Sequence, residues 1–70
     1  MSFSMFIRKI RNQLGMSQEQ LARALNVSFS TVNRWENGKA KPSPMAREAL
    51  NDLCRKYGID VDMERRQEGD

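Results

Sequence analysis

Between residues 17 and 38 the chain spells two short helical stretches with almost nothing between them: "SQEQLARAL", then Asn26–Val27–Ser28, then "FSTVNRWE", then Asn37–Gly38. Ser17 is a good N-cap, and Gln20 three residues on completes a capping box. Asn26 tolerates the left-handed backbone that ends a helix. Ser28 caps again, and Asn37–Gly38 is a stop and turn signal. The spacing therefore predicts helices over 17–25 and 28–36, each only about two turns long and marginal alone. A three-residue turn cannot let them drift apart, so they must share one small apolar core with whatever flanks them.

The flanks carry that core. Phe3, Phe6, Ile7, Ile10 and Leu14 recur at helical spacing, while Arg8, Lys9, Arg11 and Asn12 fall off the stripe, so a first helix is expected over 3–14, ended by Gly15. Ser43 caps a last helix in which Pro44 suits the first position. Its apolar stripe reads Ala46, Ala49, Leu50, Leu53 and Tyr57 before Gly58. Leu21, Ala22 and Leu25 face inward from the second stretch. Val32 and Trp35 do so from the third, with Val27 packing just before it. Trp35 is in register with Val32, which favours core packing over base stacking. There are no strand patterns. The fold class expected is all-α: a small four- to five-helix bundle with no sheet. Residues 1–61 are expected to form the domain and 62–70 a charged, mobile tail.

Composition excludes several kinds of chemistry. Seventy residues make at most one domain and leave no room for a deep substrate cavity beside the core. There is no histidine and a single cysteine, Cys54. Zinc sites built from Cys and His, Cys–His and Ser–His pairs, and an internal disulfide are therefore ruled out. Cys54 reads as a small buried or half-buried thiol. No catalytic residues, no metal site and no cofactor are expected. No apolar run approaches the ~20 residues that span a bilayer, so no membrane partner is expected, and a reducing cytoplasm is the default compartment. Residues 1–58 hold ten Lys/Arg against four Asp/Glu, hence +6, and residues 59–70 hold two against five, hence −3. A basic folded part favours a polyanionic partner.

"GMSQEQLARALNVSFSTVNRWENGKAKPSP" resembles the DNA-binding domain of phage repressor and Cro proteins and many bacterial regulators, the lambda-repressor-like or XRE-type helix-turn-helix family. The resemblance runs from about Phe6 to Tyr57. It is carried by Ser17–Gln18, Leu21–Ala22, the Asn26–Val27 turn, Val32, Trp35–Glu36–Asn37–Gly38 and the Lys–Pro loop. It implies that helix 28–36 lies in the major groove of double-stranded DNA. Base contacts then fall to Phe29, Ser30 and Arg34, with Asn33 beside them. Arg34 suits guanine O6/N7, Asn33 suits adenine, and Ser30 can donate or accept. Phe29 stands where several phage repressors have a glutamine. It either touches a thymine methyl or sits half-buried against the second helix. Asn26 stands where glycine is commoner.

Phosphate contacts are expected from Gln18, Asn37, Lys39 and Lys41, which position without reading sequence, and Arg47 could add another. Glu36 is an acid on a DNA-facing helix. The resemblance implies that it forms a structural ion pair with Arg11, which hides its charge. The function expected is sequence-specific DNA binding by a bacterial or phage transcriptional regulator, nucleoid-associated in the cytoplasm. It would act as a weak homodimer assembled on DNA, with Met45, Leu50 or Tyr57 as contact residues. The alternatives are a targeting or antitoxin-like module acting with a protein partner, and a protein-interaction module on the same fold.

Overall fold

The computed structural model describes residues 2–59. Four helices follow one another: α1 (Phe3–Leu14), α2 (Gln18–Leu25), α3 (Phe29–Glu36) and α4 (Pro44–Tyr57). No strand occurs among the described residues. The bundle is thus all-α with four helices. The stretch 62–70, and the last two residues assigned to the domain, lie outside the described residues.

Each helix begins where a serine supplies an oxygen to an otherwise unpaired backbone N–H. Ser2, Ser17, Ser28 and Ser43 accept from Met5, Gln20, Thr31 and Ala46 respectively. At α2 the Gln20 side chain returns the bond to the Ser17 N–H at 2.8 Å, closing the capping box. The turn between α2 and α3 hinges on Asn26, whose φ of 59° is the single positive value outside glycine among the described residues. In that conformation Val27 N–H reaches back to the Ala22 carbonyl at 2.9 Å, so an orphan carbonyl at the end of α2 is satisfied. The chain then reverses within three residues, and α3 packs across α2.

One core joins all four helices: Phe6, Ile7 and Ile10 from α1; Leu21, Ala22 and Leu25 from α2; Val32 and Trp35 from α3; Ala46, Leu50, Leu53 and Cys54 from α4. Trp35 is buried at its centre, with Phe3 edge-on at 5.7 Å between ring centroids. Phe3 and Leu14 close the ends of the α1 stripe as half-buried residues.

Two expectations about α4 change. Tyr57 shares the register of Leu50 and Leu53 but is 50% exposed. It is the last helical residue, and a stripe is buried only as far as its neighbours extend. Its ring instead meets the Lys56 ammonium 5.5 Å from the centroid. Cys54 fills the inner face in its place and is buried. Leu50 is also buried and is not available for a contact with a second copy.

Candidate functional site

The helix-turn-helix divides α3 into two faces. Val32, Trp35 and Glu36 are buried, whereas Phe29, Ser30 and Arg34 are exposed and Asn33 is half-buried. The 3.6-residue period makes this division. Positions 32, 35 and 36 fall on one side, and 30 and 34 on the other. Phe29 is 49% exposed and does not belong to the core. No hydrogen bond or ion pair engages the Arg34 guanidinium among the described residues. Lys39 and Lys41 follow in the loop, both exposed. The loop is started by the Lys39 N–H bonding back to the Arg34 carbonyl at 2.9 Å across Gly38, whose φ is 71°. Only a residue without a Cβ takes that backbone readily.

Glu36 is the acid among these cations, and it is turned inward. Its side chain is 3% exposed. Arg11 grips it from α1 with two bonds, Nε to Oε2 at 2.7 Å and Nη2 to Oε1 at 3.1 Å. This forked geometry is the strong form of the pair. Arg11 Nη1 also donates to the Met16 carbonyl at 3.3 Å. From α2, Gln18 Nε2 donates to Glu36 Oε1 at 3.0 Å. Arg8 adds a second cation. Its Nε lies 3.9 Å from Oε1, and its Nη2 donates to the Glu36 backbone carbonyl at 3.1 Å. Burial pushes the Glu36 carboxyl up. The hydrogen bonds from Arg11 and Gln18, with the charges of Arg11 and Arg8, outweigh it and hold the group below the usual carboxylate range. The bond to Glu36 likewise raises the Arg11 guanidinium above its already high value. The acid is therefore ionised at neutral pH, and its charge is neutralised inside the fold.

The network continues outward along α3. Gln18 Oε1 accepts from Asn33 Nδ2 at 3.2 Å, and Asn33 Oδ1 accepts from Asn37 Nδ2 at 3.0 Å. Of the residues assigned to phosphates from the sequence, Gln18 and Asn37 thus hold internal bonds, while Lys39 and Lys41 stand clear. Asn33, assigned to a base, is tied to both Gln18 and Asn37. Sequence reasoning missed Arg8, which was set among the solvated residues of α1. The available signal was its position three residues before Arg11, on the same side of the helix.

No group of three or more His, Cys, Asp or Glu side chains able to hold a metal occurs among the described residues. No helix there is long and apolar enough to cross a membrane. No buried side-chain nitrogen or oxygen lacks a partner among the described residues.

Comparison with known proteins bears on this arrangement directly. Residues 7–62 match the family model described as helix-turn-helix. The chain is similar to the HTH-type transcriptional activator BcrR of Enterococcus faecalis, with 31% identity over 62 residues that make up 89% of this chain and 29% of that protein. The chain therefore spans less than a third of that relative's length. No solved structure matches it.

Proposed function

The chain belongs to the helix-turn-helix family, and on that footing we propose that it is a sequence-specific, double-stranded DNA-binding module of a transcriptional regulator, with α3 entering the major groove. One observation carries the reading. The exposed side of α3 and the loop after it present Phe29, Ser30, Arg34, Lys39 and Lys41, while the one acid on that helix is buried and paired. An acid exposed on that side would repel phosphates, and burial in the Arg11 pair removes it from the surface.

In this reading Arg34 makes a forked pair with guanine O6/N7. Ser30 bonds a base edge, and Phe29 contacts a thymine methyl. Lys39 and Lys41 neutralise phosphates. Gln18, at the first turn of α2, contacts another through whatever donor capacity its internal bonds leave free, and Asn37 does the same from the end of α3. Met45 and Tyr57, 85% and 50% exposed, supply the apolar part of a small two-fold contact between copies assembled on DNA. The compartment that fits is the bacterial cytoplasm, where DNA is accessible.

Selection from a random duplex library at moderate salt tests the reading. An enriched palindrome with half-sites about 10 bp apart, centre to centre, is expected for the dimer. A short asymmetric motif keeps the DNA-binding reading and removes the dimer. Retention that salt abolishes without enrichment leaves only non-specific charge attraction, and the reading falls.

A further inference from the structure

Which end of a side-chain amide carries the nitrogen is decided by its partners. Here the partner at one end leaves no choice. Glu36 is a carboxylate held in its charged form, and a carboxylate only accepts. The atom of Gln18 that faces it at 3.0 Å is therefore Nε2. Gln18 must then turn Oε1 toward Asn33, whose Nδ2 donates at 3.2 Å. Asn33 in turn offers Oδ1 to Asn37, whose Nδ2 donates at 3.0 Å. One buried charge sets the sense of three amides in series across α2 and α3. The forked bond from Arg11 keeps that carboxylate from rotating away.

The sense of an amide matters at a base edge. Adenine offers the major groove an acceptor at N7 and a donor at N6, whereas guanine offers two acceptors, N7 and O6. An amide pairs with adenine through both atoms in one sense only. Asn33 spends one N–H and one lone pair inside the protein and keeps the second of each. It lies on α3 between the exposed Ser30 and Arg34.

We propose that Gln18, Asn33 and Asn37 form a polarised amide relay anchored at Glu36, which makes Asn33 an adenine-selecting residue and makes Gln18, Glu36 and Asn37 its positioning residues. The base-selecting half of this inference rests on the DNA-binding reading above; the relay itself does not.

The test uses the full chain, labelled with nitrogen-15, first without DNA. In the wild-type protein the side-chain amides of Gln18 and Asn33 should give separated proton signals, with the bonded proton of each exchanging more slowly than that of a free amide. Asn37→Asp puts an acceptor where the relay needs a donor, at an exposed position that leaves the core intact. The Asn33 amide signals should move and lose protection, while the helical circular dichroism stays. Unchanged Asn33 signals would overturn the relay. Glu36→Gln should disturb the Gln18 and Asn33 amides together; if that variant does not fold, Asn37→Asp decides alone.

The second arm compares the enriched duplex with versions carrying single A·T to G·C changes. Wild type should prefer adenine at one position by about tenfold or more. Asn37→Asp should cut that preference to about twofold or less, and leave the separate preference due to Arg34 in place. Repulsion between the new carboxylate and phosphates weakens both duplexes alike and cancels in the ratio. A variant that keeps the full adenine preference overturns the selecting role of Asn33. If no duplex is enriched at all, that role falls together with the functional reading, and the amide signals still decide the relay independently.

Discussion

The two faces of α3 are built from the same eight residues but by opposite rules. The inner face, Val32, Trp35 and Glu36, is closed: two apolar side chains in the core and one charge held by Arg11, Gln18 and Arg8. The outer face, Ser30 and Arg34 with Phe29 at its head, is open, and Arg34 has no partner among the described residues. The contrast teaches where each kind of change should be felt. Substitutions on the closed face should be read as stability, and substitutions on the open face as binding.

The largest effect belongs to Trp35. Its replacement by alanine should cost about 3–5 kcal/mol, a large part of what a small domain has. Urea titration followed by circular dichroism should find the variant unfolded or nearly so. A Trp35→Ala protein with wild-type midpoint would show that the inner face is not the core.

Next comes the pair that ties α1 to α3. Arg11→Ala strands a carboxylate that is 3% exposed, and should destabilise by about 3 kcal/mol, the low end for such a loss because Gln18 and Arg8 remain. The same pair sets a pH signature. Because Glu36 titrates below the ordinary range when folded, its contribution is fully present above the unfolded value of about 4.3. It is lost as pH falls through the lower folded value. In urea midpoints measured from neutral pH down to strongly acidic pH, the wild type should fall off more steeply than Glu36→Gln below about pH 4. Parallel curves would contradict the ionised, paired state of Glu36.

These features differ in how far the sequence discloses them. The helix boundaries were legible to within a residue, because caps are local. A serine oxygen and the N–H it takes lie three positions apart, and Asn26 carries its left-handed tolerance wherever it is placed. The inner stripes were legible for the same reason, except at Tyr57, where register was right but the neighbours ended first. The pairing of Arg11 with Glu36 was implied by family resemblance, since 25 residues separate the two. The amide series from Gln18 through Asn33 to Asn37 was not legible at all. It depends on how α2 crosses α3, and no periodicity encodes which end of an amide faces which neighbour. For the same reason the internal bonds of Gln18 and Asn37 left no mark in the sequence, and the part Arg8 plays beside Glu36 left only its spacing from Arg11.

On the open face the effects should be smaller and of a different kind. Arg34→Ala should leave the urea midpoint within about 0.5 kcal/mol of wild type while lowering affinity for an enriched duplex by roughly 1–3 kcal/mol. Smaller still is Lys39→Ala, which should weaken every duplex alike and reduce the slope of log affinity against log salt by about one. A Lys39 variant that loses preference among sequences would move the reading function from α3 into the loop.

The most direct test of the account sets Arg34→Ala against wild type on two duplexes of equal length, one enriched by selection and one scrambled, at a single salt concentration. The account predicts a loss on the enriched duplex of about tenfold or more and on the scrambled duplex of only the small part due to one fewer positive charge. Equal losses on both would contradict it, and would leave the outer face of α3 as a patch of charge that reads nothing.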